Sequence, residues 1–403
     1  MAKRAFEVVQ ALSPGSRKVG AMPAHILDVP PDALRRDRTS IKWRRYPADV
    51  LPLWIAEMDA RPCPAVVDAV TAAMTRGDTG YAGDEGYAAA LAELAEAEWG
   101  WTTDPAAMVR VTDVLTGVAH LLRILTDPHG PVVVSPPVYN AFYDVIASIE
   151  RRVVEAPLTV DARLDLDLLD ATFGEVTSGG GRAVYLLSNP HNPTGTVHSA
   201  AELEGLAAVA DRHGVRVLSD EIHAALVFAP HRFTPYLTVP GSGRGITVTS
   251  ASKAWNLAGL KAALVVPGEE ARADVARLHP FVTFGASHFG VIAQTAAYRH
   301  GREWVHDLVD ELDANRSLLD ELVRDRLAGA RLLVPDSTYL AWLDLRPLGL
   351  GDHPAATLLE RGRVAVSEGT MFGAAGAGHV RLNFATSPDV LRDAVARIAS
   401  CIG

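Results

Sequence analysis

The central part of the chain alternates short, almost wholly apolar segments with helical patterns, and this alternation limits the possible folds more than any other feature. The clearest unit runs from "RAVYLLSNP" through the helical "SAAELEGLAAVADRHG" to "VRVLSDE", and "GITVTSAS" follows it. Ser199 or Ala200 begins the helix, and Gly214 ends it. Near-continuous apolar strands separated by helices predict a parallel sheet that is covered on both faces, in an α/β fold.

The C-terminal third has a different pattern. "REWVHDLVDELDANRSLLDELVRDRL" predicts a long amphipathic helix that connects two domains. After it, "STYLAWLDL", "GRVAVSEG" and "GHVRLNFAT" predict strands of a small α+β domain. We predict a large domain over 60–295, a small C-terminal domain over 296–403, and an N-terminal segment, 1–59. That segment starts as a mobile lead-in and then packs on the small domain or at the entrance of the active site.

Composition excludes several classes of protein. The chain has 403 residues and a net charge of −10, so no global basic field favours nucleic acid or anionic lipid. The basic stretch "RRDRTSIKWRRYP" carries interleaved aromatic residues, but nucleic-acid binding remains the weaker interpretation. No apolar run reaches the roughly 18–20 residues of a membrane span. Two cysteines and no His-x-x-x-His or Cys-x-x-Cys spacing indicate a reducing cytoplasm without a disulfide framework or a metal site.

Chemically capable side chains follow four of the predicted strands. Tyr139 follows "VVV", Asn192 follows "AVYLL", Asp220 ends "VRVLSD", and Lys253 follows "ITVT". Ligands bind beyond the carboxyl ends of the strands in an open parallel sheet, so these four side chains are expected in one site. Each is weak evidence alone, but together they supply an aromatic ring, an amide, a carboxylate and an amine.

Pyridoxal 5′-phosphate is a ligand that uses all four groups. It needs an amine for its aldehyde, a carboxylate for its ring nitrogen, a donor for its phenolate oxygen and an aromatic ring to stack on. The carboxylate keeps the pyridine nitrogen protonated, which makes the ring an electron sink.

Several stretches resemble one protein family. "SNPHNPTG", "SDEIH" and "SASKAWNLAGLK" are similar to signature stretches of the fold-type I aminotransferase superfamily. "LPLWIAEMD", "PPVYNAFYDVI" and "STYLAWLDLRPLGL" resemble the MalY/PatB branch, the cystathionine β-lyase or C–S lyase group, from about residue 40 to the end. The resemblance implies a fold-type I pyridoxal phosphate-dependent transferase. Its large cofactor-binding domain has a mostly parallel sheet flanked by helices, and the enzyme is a cytoplasmic homodimer.

The resemblance also implies roles for the cofactor's neighbours. Lys253 forms the Schiff base with the cofactor and later moves the α-proton, whereas the plain alternative is a surface lysine. Asp220 pairs with the pyridinium nitrogen, and Asn192 donates to the phenolate oxygen; the alternatives are a strand-end cap and a turn residue. Tyr139 stacks on the ring unless it is a core aromatic. His223 lies near the phenolate oxygen unless it is a structural histidine.

Phosphate contacts are expected at two places. Gly117 and Val118, in "DVLTGVAHLL", stand at an apparent loop-to-helix junction whose backbone N–H groups hold the phosphate. Ser250, Ser252 and Lys261 supply further contacts, with Lys261 where many relatives carry arginine.

Substrate and partner contacts complete the predicted site. Arg381 binds the substrate α-carboxylate as a bidentate fork, unless it forms an ion pair within its own domain. Trp54, Ile55 and Ala56 line the substrate side. Tyr81 matches a tyrosine that family members lend to the partner's cofactor phosphate in a homodimer; the alternative is a loop tyrosine packed in its own subunit.

Two departures from the family pattern fall near the expected substrate entrance. "AVSEGTMFG" replaces an apolar or proline-glycine stretch, which alters residues 367–371, and Ala60 stands where an aromatic is common. Both weaken cystathionine itself as the substrate without affecting the cofactor assignment.

The predicted reaction is β-elimination from an L-cysteine S-conjugate, which yields a thiol, pyruvate and ammonia. An aminotransferase shares every cofactor residue and remains an alternative. So does an atypical, decarboxylation-linked deamination of a bulky cysteine conjugate in specialised metabolism. A regulatory binding protein is the alternative from another class, and the presence of Lys253, Asp220, Asn192 and Arg381 disfavours it.

Overall fold

The computed structural model describes residues 25–83 and 86–402, so the predicted mobile lead-in lies largely outside the described residues. The helices are α1 (Pro31–Asp37), α2 (Ile41–Arg44), α3 (Pro64–Thr75), α4 (Tyr87–Trp99), α5 (Val114–Leu125), α6 (Ala141–Ser148), α7 (Leu166–Thr177), α8 (Ala200–Arg212), α9 (Arg272–Val275), α10 (Pro280–Phe284), α11 (His288–His300), α12 (Arg302–Arg326), α13 (Pro354–Glu360) and α14 (Pro388–Ala399). The strands are β1 (Leu51–Pro52), β2 (Val109–Val111), β3 (Pro131–Val134), β4 (Arg152–Glu155), β5 (Val184–Ser188), β6 (Arg216–Asp220), β7 (Ile246–Thr249), β8 (Ala263–Pro267), β9 (Arg331–Leu333), β10 (Leu340–Asp344), β11 (Val364–Ala365), β12 (Ser367–Glu368) and β13 (His379–Asn383).

A seven-stranded sheet forms the centre of the molecule, in the order β2-β8-β7-β6-β5-β3-β4. Strands β7, β6, β5, β3 and β4 pair in parallel, and β8 runs antiparallel to both of its neighbours. Every residue of β3, β5, β7 and β8 is buried, because helices cover both faces of the sheet. The predicted mostly parallel α/β sheet is confirmed.

Helix α8 illustrates how local sequence determines these elements. Ser199 is its N-cap, and its hydroxyl accepts a hydrogen bond from the Glu202 N–H while the Glu202 carboxylate accepts one from the Ser199 N–H. This reciprocal pair satisfies two backbone donors that would otherwise lack partners. Leu203 and Leu206 on the same helix are fully buried against the sheet. Beyond the helix, Gly214 adopts a left-handed backbone with φ of 66°.

A second, antiparallel sheet follows the 25-residue helix α12, in the order β12-β13-β10-β9. The segment "GRVAVSEG" forms two short strands rather than one, because β11 and β12 join different sheets. Strand β11 pairs in parallel with β1, so the chain before residue 60 contacts the C-terminal region through backbone hydrogen bonds. The domain boundaries at residues 59 and 295 remain predictions.

A buried ion pair anchors the segment that follows β1. The Lys42 ammonium lies 2.9 Å from the Asp59 carboxylate, and the two side chains are 0% and 2% exposed. The Trp43 indole N–H donates to the same carboxylate oxygen at 2.8 Å. Lys42 also donates to the Glu57 carbonyl at 2.9 Å, so the chain is held at both Glu57 and Asp59.

Across the described ranges, none of the helices combines the length and the apolar character needed to cross a bilayer.

Candidate active site

A cleft that encloses about 730 Å³, part of it open to solvent, lies at the carboxyl ends of β5, β6 and β7. It reaches the N-terminus of α5 at one end. Nine of the predicted site residues line it: Ala56, Tyr139, Asn192, Asp220, His223, Ser250, Ser252, Lys253 and Lys261. The expectation that side chains following neighbouring strands converge is therefore met for each of the four strands that suggested the site.

Lys253 lies in the cleft just after β7, where its ammonium donates to the Ala56 carbonyl at 3.1 Å. Burial, and next the positive charge of Arg381, lower its pKa to about 8, although the Asp220 carboxylate opposes the shift. No carboxylate among the described residues forms an ion pair with it. A lysine in such surroundings is neutral far more often than a surface lysine, and only the neutral amine attacks an aldehyde.

Asp220 ends β6 and is 5% exposed. One carboxylate oxygen accepts the Ile222 N–H at 3.1 Å. Burial raises the pKa of Asp220 to about 7, while the Ile222 N–H and the Lys253 charge oppose the shift. A buried carboxyl without a bonded cation at the floor of a cleft suits a ligand that brings a positive N–H, because the opposite charge would stabilise its ionised form.

Asn192 lines the cleft and contacts Arg381, which lies beside it. The Arg381 guanidinium donates to the Asn192 side-chain oxygen at 3.1 Å. Arginine can only donate hydrogen bonds, so the Asn192 oxygen is identified and its NH₂ group remains a donor at the cleft. That orientation suits a donor to a phenolate oxygen.

Arg381 is 5% exposed, yet no carboxylate pairs with it among the residues that the structure describes. Its remaining contacts are neutral: the Trp54 carbonyl at 3.2 Å, the Ser367 hydroxyl at 3.3 Å and the Phe372 ring, whose centroid lies 4.8 Å away. The guanidinium Nε has no hydrogen-bond partner within the described part of the chain. Burial lowers the Arg381 pKa to about 10. An ion pair within the domain, the alternative for Arg381, therefore lacks a described partner, and the charge is left for a carboxylate ligand.

His223 lines the cleft near Lys253, and the fully buried Tyr339 packs behind it. The His223 ring is 3% exposed, and burial, followed by the charges of Lys253 and Arg381, lowers its pKa to about 3, so the imidazole is neutral. The Tyr339 ring centroid lies 6.1 Å from it in an edge-on arrangement. The Tyr339 hydroxyl donates to the Ala56 carbonyl at 3.1 Å, the same oxygen that Lys253 uses. Tyr339 was not predicted, although it belongs to the quoted stretch "STYLAWLDL".

The prediction that the Gly117 and Val118 N–H groups bind the phosphate is wrong, because both residues lie inside helix α5. Helix α5 begins at Val114, three residues earlier than expected, because the Asp113 carboxylate caps it by accepting the Thr116 N–H at 2.8 Å. The Gly117 N–H donates to the Asp113 carbonyl at 2.9 Å, and Val118 lies one residue further into the helix. An aspartate N-cap in "TDVLTG" was the available signal.

Donors for a phosphate nevertheless gather at this end of the cleft. Val114 and Leu115 line it and carry first-turn N–H groups, which have no partner within the helix. The exposed Lys261 ammonium lies 3.1 Å from the Asp113 carboxylate, which it neutralises. Ser252 also lines the cleft.

Ser250 has a more structural position than was predicted. Its hydroxyl lies 2.8 Å from the Ala262 carbonyl and 3.0 Å from the Gln294 side-chain oxygen. The single hydroxyl hydrogen is donated to one of these two acceptors. The Ser252 N–H donates to its oxygen at 3.2 Å. Ser250 therefore shapes the loop that carries Lys253, in addition to lining the cleft.

Six predicted residues do not line the cleft: Gly117, Val118 and Arg381, whose positions are given above, and Tyr81, Trp54 and Ile55. Tyr81 is 93% exposed on the surface. Trp54 and Ile55 contribute backbone carbonyls, which accept from Arg381 at 3.2 Å and from the Asn383 amide at 2.7 Å.

Together these groups fit pyridoxal 5′-phosphate. The cleft offers an amine of lowered pKa, a buried carboxyl without an ion-pair partner, an amide donor and, in Tyr139, an aromatic ring. Helix-terminal N–H groups and Lys261 lie at the far end for the phosphate. Within 25–83 and 86–402, no group of three or more His, Cys, Asp or Glu residues is arranged to hold a metal ion.

Comparison with known proteins gives a consistent result over nearly the whole chain. The family model described as aminotransferase class I and II matches residues 48–398. A Mycobacterium tuberculosis protein, provisionally named a cystathionine beta-lyase, is 49% identical over 389 residues, which cover 91% of this chain and 96% of that protein. The cystathionine beta-lyase of Corynebacterium glutamicum is 33% identical over 375 residues, covering 91% and 98%.

A solved structure agrees with the sequence comparisons. A Corynebacterium diphtheriae protein, provisionally described as a PLP-dependent beta-cystathionase, superposes with a TM-score of 0.88 at 34% identity. The match covers 94% of this chain and 99% of that one, so it includes both sheets and the cleft.

Proposed function

The chain belongs to the class I and II aminotransferase family, and from this premise we propose that it is a pyridoxal 5′-phosphate-dependent carbon–sulfur β-lyase that cleaves L-cysteine S-conjugates. The observation that carries the proposal is the position of the Lys253 amine, whose pKa is about 8, in one cleft with the buried Asp220 carboxyl and beside the unpaired charge of Arg381. The names of the relatives support cleavage of a carbon–sulfur bond.

Arg381 and Asn192 orient the substrate and the cofactor. Arg381 receives the α-carboxylate, since its guanidinium is buried and its described contacts are neutral acceptors. Because Asn192 accepts a hydrogen bond from Arg381 at 3.1 Å, its free NH₂ group would donate to the phenolate oxygen of a bound cofactor and so link that oxygen to the carboxylate position. Holding the α-carboxylate in a fixed relation to the cofactor would orient the Cα–H bond for proton transfer to Lys253.

Lys253 is the proton-transfer residue. When bound, pyridoxal phosphate supplies an aldehyde and an electron-withdrawing pyridinium ring that stabilises negative charge at the substrate Cα. With the cofactor bound, Asp220 would pair with its ring nitrogen and keep that nitrogen protonated, and the neutral Lys253 Nζ would accept the proton from Cα. The Cβ–S bond then breaks with its electron pair on sulfur, and the thiolate takes up a proton. One water is consumed as the three-carbon product decays to pyruvate and ammonia.

A homodimer in which Tyr81 reaches the partner's site completes the proposal. Tyr81 is 93% exposed, and Phe281 and Phe284 are 84% and 65% exposed. Ala82 and Thr283 line one groove, so these aromatic side chains flank a common surface. Exposed aromatic groups around a shared groove support a subunit contact. We also propose a cytoplasmic location, supported by two buried thiols, Cys63 and Cys401, which form no disulfide.

The test is a panel of L-cysteine thioethers of increasing size, with thiol, pyruvate and ammonia measured with and without a keto-acid acceptor. The proposal predicts equal amounts of the three products without an acceptor, and none from Lys253→Ala. Strict dependence on the acceptor would instead identify an aminotransferase, which the family name supports as the second candidate. Release of carbon dioxide in step with ammonia would identify the decarboxylation-linked reaction, for which the departure at residues 367–371 is the motivation. No product from any conjugate would favour a regulatory protein.

A further inference from the structure

The hydroxyl of Ser367 joins three parts of the chain at the Arg381 guanidinium. Strand β12 pairs with β13 so that Ser367 lies directly opposite Arg381. The Ser367 hydroxyl donates to the Trp54 carbonyl at 2.5 Å. Arg381 Nη2 donates to the same carbonyl at 3.2 Å and to the Ser367 oxygen at 3.3 Å. The N-terminal segment, the C-terminal sheet and the guanidinium therefore meet at one hydroxyl.

The direction of each hydrogen bond follows from chemistry. Arginine only donates, and a backbone carbonyl only accepts. The single Ser367 hydrogen therefore points to Trp54 O, and an oxygen lone pair faces Arg381 Nη2. Trp54 O has two lone pairs and accommodates both donors. Ser367 is 9% exposed and Arg381 is 5% exposed, so bulk water is poorly placed to replace a lost contact.

A neutral acceptor at residue 367 has a specific consequence. A carboxylate there would neutralise Arg381 and compete with an acidic ligand. The neighbouring acid, Glu368, instead accepts the Gly369 N–H at 3.1 Å, and it forms no ion pair with Arg381. The guanidinium is held in place while its charge stays available.

We propose that Ser367 is a positioning residue: its hydroxyl fixes the orientation in which Arg381 meets the α-carboxylate, and it thereby sets the selectivity for amino acids with a free α-carboxylate. The inference rests on the proposed role of Arg381 in substrate binding. It does not depend on which bond of the substrate is later cleaved.

The test compares equilibrium binding of L-alanine and L-alaninamide to the holoenzyme by calorimetry. Neither ligand has a leaving group on Cβ, so the measurement is independent of lyase activity. Ser367→Ala and the nearly isosteric Ser367→Cys, whose thiol is a weak donor and acceptor, should each reduce the preference for L-alanine over the amide by about tenfold. Ser367→Thr keeps the hydroxyl and should retain the preference. Ser242→Ala removes another buried serine that donates to a backbone carbonyl, at 2.7 Å, far from the cleft, and serves as the matched control.

Two outcomes would overturn the inference. One is a preference for L-alanine over L-alaninamide that stays within about twofold of the wild type in both Ser367→Ala and Ser367→Cys. That result would indicate a merely structural role, because a structural loss weakens the binding of both ligands alike. The other is an equal loss in Ser242→Ala. If Ser367→Ala does not fold, Ser367→Cys and Ser367→Thr decide the question. Failure of the lyase assignment is separate, since it appears only in the product assay of the wild type.

Discussion

At the scale of single residues, the cleft is defined by charges that lack their usual partners. Lys253 lines it and Arg381 lies near it, both without bonded carboxylates among the described residues, and the charge of Arg381 disfavours the charged form of Lys253. Asp220 opposes this effect, but burial raises its own pKa to about 7. Strongly shifted values of this kind cluster where proteins do chemistry. Here they also give a quantitative prediction.

The rate at which pyridoxal phosphate attaches covalently to apo-enzyme should follow the neutral fraction of Lys253. Because the Lys253 pKa is lowered to about 8, the rate should rise through that pH and then level off. Arg381→Gln removes a charge that lowers this pKa, so its midpoint should move up. Asp220→Asn removes a charge that raises it, so its midpoint should move down. Stopped-flow absorbance over a pH series measures all three midpoints.

Arg392→Gln is the control for that series. Arg392 lies on α14, is 55% exposed and pairs with Asp389, so its loss should leave the midpoint in place. A wild-type midpoint near 10.5, the ordinary lysine value, would contradict the assignment of Lys253 as a buried, shifted amine. Shifts of Arg381→Gln and Asp220→Asn in the same direction would contradict the electrostatic explanation.

The sequence predicted nine of the residues that line the cleft, but not the bonds among them. Lys253, Asp220 and Asn192 follow three neighbouring parallel strands, and that topology alone brings them to one edge. The Ser367–Trp54–Arg381 contact depends on the register of β12 against β13 and on a segment more than 300 positions away. No local pattern encodes such a register.

At the scale of helices and strands, two elements contribute to opposite parts of the cleft. The N-terminus of α5 supplies Val114 and Leu115, and the segment at residues 54–59 supplies Ala56. Gly117, which we had expected to bind phosphate, serves packing instead. A Cβ at this position would lie 3.0 Å from Val111 Cγ2 and 3.5 Å from Val248 Cγ1. The glycine lets α5 approach the sheet closely, which sets the height of its N-terminus above the cleft.

Gly117→Ala should therefore destabilise the protein although alanine is the better helix former. Alanine gains about 1 kcal/mol in helix propensity, whereas overpacking a rigid sheet costs about 1–3 kcal/mol. Gly174→Ala in α7 is the matched control, because its Cβ would meet only the His213 side chain, at 3.3 Å. We expect Gly117→Ala to be about 1–2 kcal/mol less stable than Gly174→Ala in urea unfolding, and to lose cofactor more readily. Equal stability of the two variants would contradict this packing role.

The buried Lys42–Asp59 pair gives a second prediction at this scale. Asp59→Leu or Lys42→Met alone leaves one buried charge without its partner, and breaking a buried pair costs about 3–5 kcal/mol. The double variant Lys42→Met/Asp59→Leu removes both charges and should recover much of that loss. Free energies of unfolding from urea titrations of the four proteins give the coupling energy. Additive losses would show that the 2.9 Å contact does not hold the segment at residues 54–59.

Helices and strands with a clear local sequence pattern were predicted. Strands that depend mainly on hydrogen bonding to a neighbouring strand were not. The α8 capping box and the apolar strands β3, β5, β6 and β7 are visible in the sequence. The quoted patterns did not identify β8, whose antiparallel direction depends only on its neighbours. They merged β11 and β12, because two-residue strands are created by their partners rather than by propensity.

At the scale of the whole molecule, the phosphate contact predicted from Tyr81 is one that the described chain does not make in its own cleft. The Tyr81 side chain is 93% exposed and does not line the cleft, so the predicted phosphate contact requires a second subunit. A twofold dimer would complete two equivalent sites at once. In such a dimer, each site would contain residues from both chains, and experiments that mix variant subunits can detect this.

Subunits carrying Lys253→Ala should complement subunits carrying Tyr81→Phe when the two are unfolded together, refolded with cofactor and purified as heterodimers through different tags. In a shared-site dimer, one of the two heterodimer sites combines a native Lys253 with a native Tyr81, and its cofactor affinity should return to the wild-type value. The reverse control mixes the wild type with the double variant Lys253→Ala/Tyr81→Phe. Its one competent lysine then faces a substituted tyrosine, so affinity should stay low. Fluorescence titration with pyridoxal phosphate distinguishes the two heterodimers. If Tyr81 instead acted within its own subunit, the results would exchange: the first mixture would remain weak and the second would contain a fully native site.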